Sequence, residues 1–124
     1  MTAHLMALAA YAGQSAPTRT ARSIEYDAFA RVTRQLRFAL APGAPFSTLA
    51  QALHDNRMLW SALAADVAEE TNLLPDTLRA RIFYLAEFTL YQSRKVLAGE
   101  GGAQSLVDVN MSVMRGLHPE EDRG

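Results

Sequence analysis

Three histidines, His4, His54 and His118, fall in three separate stretches of the chain. His54-Asp55 is the one His-Asp pair, and metal phosphohydrolases use such pairs. A working metal centre needs further His and Asp ligands from neighbouring elements, and this chain has too few histidines to supply them. The pair therefore reads as surface residues of a helix. No cysteine is present, which removes thiol nucleophiles, thiolate metal sites and disulfides. None of the serines (15, 23, 47, 61, 93, 105 and 112) lies in a G-x-S-x-G elbow. Gly99-Glu100-Gly101-Gly102 is rich enough in glycine to cradle a phosphate. It follows a helical pattern rather than a strand, so a helix stop is expected there. Asp66, Glu69 and Glu70 could pool carboxylates, but a solvated helix end explains them more simply. No catalytic residue, metal or cofactor is expected.

Arg19, Arg22, Arg31, Arg34 and Arg37 make residues 19–37 locally basic, relieved by Glu25 and Asp27. A nucleic-acid surface interleaves such charges with exposed aromatics. Here Tyr26 and Phe29 fall on the apolar stripe of the same helix and read as core, so direct RNA binding is not the favoured reading. The formal net charge is −1, which gives no global field to attract nucleic acid or an anionic membrane.

These residues must be positioned by helices, because every periodic stretch has the helical period and no alternating strand pattern occurs. The 124 residues, 49% apolar and 20% charged, suit one globular domain with its own core. Ala3–Ala12 reads as a short helix with Leu5 and Leu8 facing a core. Residues 13–20 are a Gly/Ser/Pro/Thr linker, so 1–20 form a helix and a connection. Leu5–Ala12 and Ala10-Tyr11-Ala12 resemble parts of a signal peptide, but no Lys or Arg precedes Arg19, so none is read. Thr20 or Ser23 caps a helix running to about Ala41, with Tyr26, Phe29, Val32 or Thr33, Leu36 and Leu40 as its stripe. Ala41-Pro42-Gly43-Ala44-Pro45 stops it.

Ser47 is the expected N-cap of the next helix, striped by Leu49, Leu53, Asn56, Trp60, Leu63 and Val67. Pro75 opens a further helix to about Leu97. Its apolar residues lie nearly all round: Leu78, Ile82 and Leu85 on one face, Tyr84, Phe88 and Tyr91 on a second, Phe83, Ala86 and Leu90 on a third. Such a helix is expected to be buried on several sides, with Phe83, Leu85 and Phe88 in the core and the other helices as its partners. A last helix spans about Ala103–Arg115, with Gly116 as C′ residue, and 118–124 read as a flexible tail. No segment approaches the ~18 consecutive apolar residues of a membrane span. The expected fold is all-α: a compact bundle of four main helices plus the short N-terminal helix, in a single domain spanning 1–124.

Two asparagines interrupt this pattern. Asn56 sits inside an apolar stripe, and Asn110 beside another, next to Val109 and Val113. A buried Asn without partners costs about 1–3 kcal/mol. An inter-helix hydrogen bond that fixes register is the favoured explanation. The alternative is a groove used by a partner.

Several segments together resemble the flagellar biosynthesis regulator FlaF family. They are Ala9-Ala10-Tyr11-Ala12; Glu25 to Leu36, of the form E-x-x-x-F-x-x-V-T-x-x-L; Ala52 to Ser61, containing A-L-x-x-N-x-x-L-W; Leu74-Pro75 with Leu78-Arg79-Ala80; and Leu106-Val107-Asp108-Val109-Asn110 with Met114-Arg115-Gly116-Leu117. The resemblance implies a cytoplasmic non-enzyme needed for flagellin synthesis and assembly, binding flagellin as an export chaperone or promoting its synthesis post-transcriptionally, with or against the regulator FlbT. No cofactor is implied. On that basis a partner groove is expected from Asn56, Leu59, Trp60, Leu63, Asn110, Met111 and Met114, receiving an amphipathic terminal helix of flagellin. Methionine, flexible and polarisable, suits such a surface. The rival readings are an RNA-associated regulator using Arg19–Arg37 and a homo-oligomeric scaffold.

Overall fold

The turn chemistry of the sequence sets the topology. In a computed structural model, which describes residues 21–117 with side chains from Tyr26 to Gly116, four helices are present. They are α1 (Ala21–Ala39), α2 (Phe46–Ala68), α3 (Asp76–Leu97) and α4 (Gln104–Leu117). The expected N-terminal helix and C-terminal tail lie outside the described residues. Between α1 and α2, Ala44 N–H donates to the Ala41 carbonyl (3.1 Å) across Pro42-Gly43. Gly43 has φ of 86°, the positive value that the third residue of a type II turn requires after proline. After α3, Gly99 at φ 78° closes a Schellman motif: Gly99 N–H donates to Val96 and Glu100 N–H to Lys95.

Three sequence-based boundaries shift. Pro45, not Ser47, is the N-cap of α2. The Thr48 and Leu49 N–H groups already donate to the Pro45 carbonyl, so Ser47 lies inside the first turn. Gly116 lies within α4 rather than beyond it, and α1 stops at Ala39.

Short connections make consecutive helices antiparallel neighbours. α2 is the centre. It buries Ala52, Leu53, Asn56, Leu59, Trp60, Ala62, Leu63, Asp66 and Val67, and it packs on both α1 and α3. The core falls into two apolar clusters. One holds Phe29, Val32, Leu59, Trp60, Ala62, Leu63 and Ala86, flanked by Val109, Val113 and Met114. The other holds Leu36, Ala39, Leu53, Val96, Leu106 and Val107. α4 therefore runs antiparallel to α1.

The expectation for α3 is overturned. It buries only Ala86, Thr89, Ser93 and Val96 and packs chiefly on α2. Phe83 is 42% exposed and Tyr84 70%, while Leu85 and Phe88 are half-buried. Apolar residues spread around a whole circumference cannot all be covered by one main neighbour. The small residues at the contact, Ala86, Thr89 and Ser93, are what let α2 and α3 approach.

Candidate functional site

The seven residues expected to line a partner groove are drawn from α2 and α4, and the structure does bring these segments together. Asn56, Trp60 and Asn110 are 0% exposed; Leu59 and Leu63 are buried; Met111 and Met114 are half-buried. The polar atoms meet in a directed chain. Trp60 Nε1 donates to Asn110 Oδ1 at 2.8 Å, and Asn110 Nδ2 donates to Asn56 Oδ1 at 2.8 Å. An indole nitrogen only donates. It therefore fixes which end of the Asn110 amide faces it, and Asn110 in turn fixes Asn56. Phe29 meets the Trp60 ring edge-on, with centroids 5.5 Å apart, an arrangement favoured by the aromatic quadrupole.

Every helix adds a polar residue near this level. Thr33 lies one turn past Phe29 on α1, and Asn56 one turn before Trp60 on antiparallel α2, so the two share a layer. Thr89 reaches it from α3: it lies ten residues beyond Arg79, whose contact with Val67 is eleven residues beyond Asn56. Thr33 is 3% exposed and Thr89 0%. Thr33 Oγ1, Thr89 Oγ1 and Asn56 Nδ2 have no hydrogen-bond partner among the described residues. A polar layer thus separates the two apolar clusters. Sliding α4 along α2 by one turn would break both amide bonds, so the layer sets register.

The sequence missed the closure of α2. Its last turn carries no basic residue, and Glu69 and Glu70 are exposed just beyond it. Arg79 of α3 supplies the cation, its Nε donating to the Val67 carbonyl (2.9 Å) and its Nη2 to the Glu69 carbonyl (2.8 Å). A guanidinium on the last carbonyls of a helix satisfies orphan acceptors and complements the dipole. Asp66, read as part of a solvated end, is instead buried at 6% exposure and accepts from Asn72 Nδ2 at 3.1 Å. No signal in the sequence tied Arg79 to α2, because the contact is tertiary.

The remaining candidates separate. His54 is exposed, and Asp55 accepts from Gln51 Nε2 at 3.0 Å. Among the described residues, no three His, Cys, Asp or Glu form a group that could hold a metal ion. No described helix is long and apolar enough to cross a membrane. Arg31, Arg34 and Arg37 are exposed along α1, while Phe29 is buried as expected. α3 presents exposed Tyr84 and Tyr91 with half-buried Phe88 on the same face, and Lys95 Nζ lies 5.5 Å from the Tyr91 ring centre, a cation–π contact.

The geometry defines an all-helical bundle with an interior locked by amides and apolar surface left on its outer helix. The family model described as "Flagellar protein FlaF" matches residues 7–117, across all four helices. The chain belongs to the FlaF family of flagellar proteins. Comparison with curated proteins and with solved structures finds no match.

Proposed function

We propose that this protein is a non-enzymatic regulator of flagellum biogenesis that binds flagellin as an export chaperone, promotes flagellin synthesis post-transcriptionally, or both, acting with or against FlbT. The observation that carries the reading is the family match over residues 7–117, joined to the motif resemblance along the chain. The surface supports it. A binder of amphipathic helices needs apolar groups outside its own core. Phe83, Tyr84 and Tyr91 on α3 provide them, with half-buried Met111 and Met114 on α4. Of the seven groove candidates, these two methionines are reachable without opening the bundle. Engagement of Asn56, Trp60 or Asn110 requires the α2–α4 contact to part.

A second reading, RNA-associated control of flagellin translation, draws on the exposed Arg31, Arg34 and Arg37. One experiment separates the two: affinity capture with the tagged full-length protein from flagellated cells, at low and high salt, with and without nuclease. Retention of flagellin after nuclease is the expected result. Loss of flagellin with RNA, together with steep salt dependence, favours the second reading.

A further inference from the structure

The connection between α1 and α2 forms a surface distinct from the amide-locked core. The last two turns of α1 and the first two of α2 enclose an open-sided groove of about 860 Å³, lined by Arg34, Arg37, Phe38, Ser47, Thr48 and Gln51 among others. Its electrostatics are one-sided. From Ala28 to His54 the chain contains no Asp or Glu, yet it contains Arg31, Arg34 and Arg37. All three residues are exposed, and none makes an ion pair among the described residues. The nearest carboxylate along α2, Asp55, is engaged by Gln51 Nε2 at 3.0 Å. Beside this charge stands a large apolar side chain with little cover, the lining residue Phe38, which is 70% exposed.

Arg37 is partly preorganised. Its Nη2 rests 3.7 Å from Met111 Sδ on α4, which steadies the side chain across the α1–α4 seam. Thioether sulfur is a weak acceptor, so the fork of donors stays available to a carboxylate, which it can bind in bidentate fashion.

We propose that this groove is a docking site for a short acidic peptide segment of a partner protein. An apolar side chain of the segment packs against Phe38, and carboxylates on either side of it meet Arg34 and Arg37. Ser47, Thr48 and Gln51 offer side-chain hydrogen bonds to the peptide backbone. Charge complementarity selects this occupant. A purely apolar segment would leave the guanidiniums unused. A polynucleotide needs a basic path several phosphates long with successive stacking faces, whereas two turns of helix span only about 10 Å. The proposal is independent of the flagellin reading, because it identifies its ligand by its carboxylates and one apolar side chain and not by the flagellar family.

The test is fluorescence anisotropy of the full-length protein with three labelled probes. The first is a ten-residue peptide with a central Leu flanked by Asp and Glu. The second is the same peptide with Asn and Gln in their place, and the third a single-stranded RNA decamer. The acidic peptide should bind at least about tenfold more tightly than either other probe. The Arg34→Ala/Arg37→Ala variant should lose about tenfold in affinity, as should Phe38→Ala, with unaltered thermal midpoints. If a midpoint falls, the Arg34→Glu/Arg37→Glu variant decides, since it should reverse preference toward a Lys-flanked peptide. Equal binding of acidic and neutral peptides, or tighter binding of RNA, overturns the proposal. So does acidic-peptide binding that appears only after Glu120→Gln, Glu121→Gln and Asp122→Asn are combined, because the occupant is then the chain's own acidic end.

Discussion

Helices α2 and α3 are nearly equal in length, 23 and 22 residues, and both are rich in apolar side chains, yet they have opposite fates. α2 buries nine residues, α3 four. The difference lies in how apolar groups are arranged. On α2 they recur in steps of four and three along one stripe, which two neighbours can cover. On α3 they circle the axis, and the positions that do pack are Ala86, Thr89, Ser93 and Val96. Phe83, Tyr84 and Tyr91 are left outward because, among the described helices, only α2 packs extensively on α3. Apolar content reports what a helix could bury; the placement of its small residues reports which face is covered.

Mutations on the two helices should separate accordingly. Trp60→Ala is expected to have the largest effect. It removes a fully buried indole and orphans the Asn110 carboxamide oxygen, for a loss of about 3–5 kcal/mol in chemical denaturation. A loss comparable to that of an exposed residue would reverse the roles of the helices.

Within the amide chain the order is also set. Asn110→Ala strands both the Trp60 N–H and the Asn56 oxygen, at about 1–3 kcal/mol for each buried group. Asn56→Ala strands only the Asn110 Nδ2, and it removes an amide nitrogen that has no partner among the described residues, so its effect should be smaller. Equal effects would show that the chain is not directed as drawn.

Arg79→Ala should lower stability by about 1–2 kcal/mol, by uncapping α2 from a residue of α3. Arg79→Lys should restore only part of it, since one ammonium cannot match the two-carbonyl contact of a guanidinium fork. Smallest of all, Tyr84→Ala should stay within about 0.5 kcal/mol of wild type and Phe83→Ala near about 1 kcal/mol. A core-sized loss at Phe83 would restore α3 to the centre.

The helical architecture was readable because Phe29, Leu36, Leu53, Trp60, Leu63 and Leu106 keep the helical period, and because Pro42-Gly43 and Gly99 mark the breaks. The asparagine pair was half readable. A polar residue inside the α2 stripe signals an inter-helix bond, and Asn110 stands beside the apolar stripe of α4, but the join through Trp60 depends on tertiary register. The exposure of α3 is not legible in the sequence, because periodicity describes one helix at a time and does not count its neighbours. Arg79 as a cap for α2, and the groove between Arg34 and Ser47, arise from contacts between elements and leave no local pattern.

The most direct test of a structural rather than a binding role for the amide chain pairs two measurements on Asn110→Ala: its thermal midpoint, and its affinity, well below that midpoint, for purified flagellin, the partner proposed above. A structural lock predicts a lowered midpoint with the affinity of the folded protein unchanged. A wild-type midpoint with lost flagellin binding would contradict it, and would place Asn56, Trp60 and Asn110 on a surface that flagellin opens and occupies.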